Sequence, residues 1–124
     1  MASLGMGNSH PLTVEKIDEV VLPERIGNYA YGYLNNQGRF VVRYIGRSDS
    51  DLRERIKHGV DDMRIDSSLR YECFKFSYAE SVKEAYEKEC HNYHDFGGDR
   101  GFLCNEIHPA EPEEYDGFCP ICGQ

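Results

Sequence analysis

Phenols, guanidinium groups and one unusually placed carboxylate give this chain the means to act on a phosphodiester. Tyr29, Tyr31 and Tyr33 alternate along "GNYAYGYL", so they share one face if the run is a strand. Tyr44 stands in "RYIGR", ahead of the backbone freedom of Gly46, and Arg47 follows it. Arg55 and Glu89 come later, each inside a helical pattern. A phenol can pass a proton to or from water. An arginine can neutralise charge on a transferring phosphate, and a carboxylate can hold a divalent metal.

A second constellation is "FCPICG". Cys119-x2-Cys122 followed by Gly123 has the form of one knuckle of a zinc site, and tetrahedral zinc needs two further ligands. Two C-x3-H pairs are available, Cys90 with His94 and Cys104 with His108. The first is preferred, because a helix presents residues four apart on one face, here a face other than that of Glu89. Structural Zn²⁺ would then fasten the tail to the back of that helix. The alternative is that these are small core residues and free thiols.

Five elements must position these groups. "GNYAYGYL" and "RFVVRYIG" flank a turn signal, "NNQG", and predict an antiparallel hairpin. A four-residue turn would set Leu34 opposite Arg39 and, further down, Tyr29 opposite Tyr44. Ser48 with Asp51 resembles a capping box, which predicts a helix over about 49–63. "YECFKFSYA" predicts a third strand, and "ESVKEAYEKECHNYH" a second helix stopped by Gly97 and Gly98. Residues 13–22 fit either a short helix or an extended arm. Leu52, Ile56, Gly59 and Met63 form an apolar stripe that also takes in Arg55, and Val82, Ala85, Tyr86 and Tyr93 form one that takes in Glu89. A buried charge needs a compensating partner. Two arrangements satisfy this: an Arg55–Glu89 ion pair at the core edge, or a cleft where Arg55 meets an anion and Glu89 a cation.

The expected architecture is α+β: a small three-stranded antiparallel sheet flanked by helices, with an irregular, zinc-binding C-terminal tail. The 124 residues bound one domain. Residues 1–12 are expected to fray, 13–109 to form the domain, and 110–124 to be an acidic tail packed on it. The net charge of −8 argues against general nucleic-acid affinity, but nine basic residues against seven acidic ones lie between Arg39 and Lys75. No apolar run approaches membrane-spanning length and no secretory signal opens the chain, so a cytoplasmic location without membrane attachment is expected.

"GNY" at 27–29, "YIG" at 44–46 and the following Leu52-x-x-Arg55-x-x-His58 together resemble the GIY-YIG nuclease superfamily. The likeness runs from about Gly27 to Pro109; the helix carrying Glu84 and Glu89 is similar to the family's metal-binding helix, and "LCNEIHP" to the strand carrying its late asparagine, here Asn105. The resemblance implies an endonuclease acting on DNA. Tyr29 and Tyr44 would orient or activate water, with Tyr31 or Tyr33 as alternatives to Tyr29. Arg55, helped by Arg47, would stabilise the transferring phosphate. Glu89 would hold Mg²⁺ or Mn²⁺, and His58 and Asn105 would shape the site. The products implied are a 5′-phosphate and a 3′-hydroxyl. Targeting would come from a protein partner, self-association or a special nucleic-acid structure. The rival expectation is a non-catalytic, zinc-stabilised nucleic-acid-binding or protein-interaction module that keeps this fold.

Overall fold

The alternating tyrosine run sits near the middle of an antiparallel sheet, where its length and β-branched neighbours place it. The structure, a computed structural model, describes residues 4–97, 103–105, 109–110 and 119–120. Strand β2 (Gly27–Leu34) pairs with β3 (Phe40–Ser48) on one side and β4 (Cys73–Tyr78) on the other. A two-residue β1 (His10–Pro11) lies beyond β4, so the order is β1-β4-β2-β3 with four strands where three were expected. β3 is therefore an edge strand.

Among the described residues three α-helices complete the α+β fold: α1 (Val14–Val20), α2 (Leu52–Ile65) and α3 (Val82–Asp95). Each starts at a residue whose side-chain oxygen accepts from a backbone N–H three positions on. Thr13 takes Lys16 at 3.1 Å, Asp51 takes Glu54 at 3.4 Å and Ser81 takes Glu84 at 3.1 Å. Such a cap is worth about 1 kcal/mol. Ser48, expected to open the capping box, instead accepts from the N–H groups of Ser50 and Asp51 and turns the chain out of β3. No helix among the described residues is long and apolar enough to cross a membrane.

The hairpin register differs from the expected one by one residue beside the turn and by two beyond a bulge. Leu34 faces Phe40, because the Asn35 N–H donates to the Arg39 carbonyl and the loop is three residues long, not four. The Asn35 side chain accepts from the N–H groups of Gln37 and Arg39, and Gly38 takes φ 75°, the left-handed conformation such a loop ends on. A bulge then shifts the pairing between Tyr31 and Gly32, so that Arg43 is passed over and Tyr44 faces Tyr31. Tyr29 consequently faces Gly46, not Tyr44. Either slip alone would have turned Tyr44 to the opposite face; together they leave it on the tyrosine face.

α1 and α2 cover that face. Ile17, Val21, Leu52 and Ile56 pack on Tyr29, Tyr31 and Phe74, each such buried side chain contributing about 1.5–3 kcal/mol. α3 covers the other face, where Tyr93 meets Ala30 and Ile45 together with Leu4, Met6 and Leu103. Residues 4–12, expected to fray, thus supply two core side chains and a strand. The Lys88 ammonium holds them in place, donating to the Gly5 carbonyl at 3.0 Å and the Ser77 hydroxyl at 2.7 Å.

Candidate active site

Beside the outer edge of β3 the two helical layers leave a cleft of about 400 Å³. Tyr44, Arg47 and Ser48 reach it from β3, Arg55 from the first turn of α2, Glu89 from the middle of α3 and Asn105 from the tail. Side chains from four separate parts of the chain therefore share one hollow. Arg55 is exposed rather than buried on its helix's apolar stripe, so its charge stays solvated and open to a ligand.

Tyr29 lies beneath the cleft wall, almost wholly buried, with its phenol beside the Arg55 guanidinium. Burial, first, and the neighbouring Tyr44 push the Tyr29 phenol above its ordinary range, while Arg55 opposes them. A phenol held this way orients the guanidinium better than it surrenders a proton. Gly46 makes the arrangement possible, since a Cβ there would overlap the Tyr29 ring carbon and hydroxyl. The rings of Tyr29 and Tyr44 stack with centroids 6.3 Å apart, which brings the second phenol to the cleft surface.

The other two tyrosines serve elsewhere. The Tyr31 hydroxyl donates to the Ile56 carbonyl at 2.9 Å and accepts from the Gly59 N–H at 3.0 Å, which binds the sheet to the backbone of α2. Tyr33 carries the Arg70 guanidinium 3.6 Å above its ring. Of the three candidates, Tyr29 is the one whose phenol lies beside the Arg55 guanidinium.

Glu89 forms an ion pair with Arg47, not with Arg55. Arg47 Nη1 donates to Glu89 Oε1 at 2.5 Å, and Arg47 Nε donates to Asp49 Oδ1 at 2.8 Å. The reason is the pleat: Arg47 lies on the sheet face beneath α3, opposite Asn28, whereas α2 brings Arg55 in from the tyrosine face. The Glu89 side chain is 9% exposed, and burial pushes its carboxyl up to about 7 despite the opposing pull of Arg47. Two partners went unread in the sequence. Asp49, two residues after Arg47, holds the far side of the guanidinium. Asn28 donates to the Ala85 carbonyl at 2.8 Å and so ties β2 to α3 one turn before Glu89.

The chain matches no protein-family model, no curated protein and no solved structure.

Asn105 closes the cleft by acting as a substitute strand. Its amide donates to the Ile45 carbonyl at 2.7 Å and its Oδ1 accepts from the Ile45 N–H at 3.0 Å, while the Cys104 N–H donates to the Arg43 carbonyl at 2.6 Å. Asn105→Ala removes both amide bonds. It is expected to cost about 1–3 kcal/mol in urea denaturation at an unchanged m-value, with Asn105→Asp no better, because its second oxygen would face the Ile45 carbonyl in place of the donor. His58 is exposed on α2, one turn beyond Arg55 and outside the cleft lining.

Of the expected zinc ligands, Cys90 and Cys119 are buried together against Tyr86, and Cys119 Sγ lies 3.7 Å from His94 Nε2. Cys122 and His108 lie outside the described residues. Cys104 packs instead against the core cluster that includes Tyr71. Among the described residues no three His, Cys, Asp or Glu side chains form a ready metal-binding group.

Proposed function

We propose that this chain is a small metal-dependent endonuclease of GIY-YIG type, hydrolysing phosphodiester bonds in DNA. The observation that carries the proposal is the shared cleft, in which a phenol, two guanidinium groups and a buried carboxylate from distant parts of the sequence face one volume.

A divalent cation fits the donor set. Magnesium and manganese bind through one or two carboxylates and complete their shells with water and substrate phosphate, and Glu89 offers one carboxylate in a hollow with room for both. When bound, such an ion supplies Lewis-acid stabilisation of charge on the phosphate oxygens.

The rest of the chemistry falls to the chain's own groups. Arg55, aimed by Tyr29, neutralises charge that builds on the phosphoryl oxygens. Tyr44, at the cleft surface, orients the attacking water and takes part in moving its proton. The water oxygen bonds to phosphorus, the bond to the 3′-oxygen breaks, and that oxygen leaves protonated, giving a 5′-phosphate and a 3′-hydroxyl. Arg47 is held between Glu89 and Asp49. A cation held by Glu89 would free the Arg47 Nη1 for a phosphate oxygen while Asp49 keeps the guanidinium in place.

The test is cleavage of supercoiled, branched and single-stranded DNA with Mg²⁺ or Mn²⁺. Arg55→Ala is expected to lose about 10²–10³-fold in rate. Tyr29→Phe, which removes only the phenol oxygen beside Arg55, should lose about 10–100-fold. Cleavage surviving at full rate in both variants would refute the assignment. A wild-type protein that binds DNA in this cleft but cuts none of the three substrates would instead be the non-catalytic module, for which the Arg47–Glu89 pair serves as a structural clasp.

A further inference from the structure

A separate cluster lies in the tail's contact with α3. Cys90 and His94 are one turn apart on that helix, and Cys119 is buried against Cys90 and Tyr86. The Cys119 sulfur also lies 3.7 Å from His94 Nε2. Ordinary packing explains a buried thiol. It does not explain why a thiol meets a second thiol and an imidazole nitrogen together.

The distance, ordinary for a sulfur–imidazole hydrogen bond, is also the one tetrahedral zinc requires. With Zn–S near 2.3 Å and Zn–N near 2.0–2.1 Å, two ligand atoms on one ion stand about 3.6 Å apart. The observed sulfur–nitrogen separation is within about 0.1 Å of that value.

We propose that Cys90, His94 and Cys119 form three corners of a structural zinc site. The fourth ligand follows from sequence alone: Cys122 has the two-residue spacing at which a knuckle delivers both thiolates to one ion. The described side chains are not yet a closed triad. Coordination draws the two contacts of Cys119 onto a common centre, and both cysteine protons leave as zinc enters. The rival pair is weaker on geometry, because Cys104 packs on the tyrosine cluster whereas Cys119 packs with Cys90 and Tyr86. The site is independent of the nuclease reading. Its ligands follow Glu89 directly on α3, so zinc fixes the tail to the helix that carries the cleft carboxylate.

The measurement is metal content of the purified full chain, followed by replacement with Co²⁺. One zinc per chain is expected. The cobalt form should show the intense visible bands of a tetrahedral thiolate site and a sulfur-to-cobalt charge-transfer band. Cys90→Ser, His94→Ala and Cys119→Ser should each weaken zinc binding by more than about 100-fold, beyond the 10–100-fold typical of outer partners. Cys73→Ser and Cys104→Ser should bind as the wild type does. Glu89→Gln should also keep its zinc, so a lost zinc site and a lost nuclease activity are separable. A wild-type chain that holds no zinc as purified and gives no charge-transfer band with Co²⁺ overturns the proposal without any variant needing to fold. Cobalt spectra unchanged by Cys90→Ser and Cys119→Ser would overturn it too.

Discussion

Glu89→Gln is expected to abolish metal-dependent cleavage, by about 10³-fold or more, while leaving the protein folded. The loss corresponds to the several kcal/mol of charge stabilisation that a cation lends a phosphoryl transfer. Glutamine has nearly the same shape and keeps an oxygen for Arg47 to donate to, so the ion pair becomes a hydrogen bond and the packing of α3 is retained. Stability should then respond to pH in a telling way. The Glu89 carboxyl is raised to about 7 by burial, above its ordinary value of 4.5. A raised carboxyl favours the fold below its unfolded value and loses that contribution as pH climbs through about 7, on the order of 3 kcal/mol at most. Metal-free wild type should therefore lose melting temperature between pH 5 and 8 relative to Glu89→Gln. Metal binding has the opposite sign, since it needs the ionised carboxylate. At subsaturating Mg²⁺, cleavage should fall about tenfold per pH unit below about 7. Parallel melting curves for the two proteins across that range, or a cleavage rate indifferent to pH there, would remove Glu89 from the metal-binding role.

Gly46→Ala is expected to damage both stability and activity, through a single methyl group. The added carbon would fall on the Tyr29 ring and hydroxyl, which have little room to retreat because Tyr29 is buried and packed against the tilted Tyr31 ring at a centroid distance of 5.0 Å. Overpacking of this kind costs about 1–3 kcal/mol, and displacing the phenol takes away the oxygen that aims Arg55. A double-mutant cycle separates this contact from a simple backbone effect. In a Tyr29→Ala background the alanine at 46 has nothing to strike, so its cost should nearly vanish. Equal costs in both backgrounds would mean that the glycine is needed for some other reason.

How far this site could be read from sequence depends on the kind of signal each residue gives. Glu89 was legible because a carboxylate inside the Val82–Tyr93 stripe breaks a 3.6-residue pattern, and it is indeed buried on α3. The two central strands and α2 were legible from alternation and from the stripe running through Leu52 and Ile56. The hairpin register was not, since it turns on local hydrogen bonds: the Asn35 side chain tightening the loop, and the bulge at Arg43. Neither leaves a mark on hydropathy. Leu4 and Met6 sit among glycines with no period to report them, yet both are buried. The partner of Glu89 was missed for a topological reason. Helical phase predicted that Arg55 and Glu89 both turn inward, but the sheet lies between their helices, and the strand residue Arg47 is nearer.

The amide of Asn105 has a consequence for handling the protein. Among the described residues β3 is an outermost strand, and Cys104 and Asn105 occupy its Arg43–Ile45 stretch. Such margins are templates for other chains unless something blocks them. The short plug after Leu103 thus acts as a guard against aggregation. A truncated chain ending at Gly97 would present β3 with its donors and acceptors bare, and should polymerise edge to edge at concentrations where the full chain stays in solution.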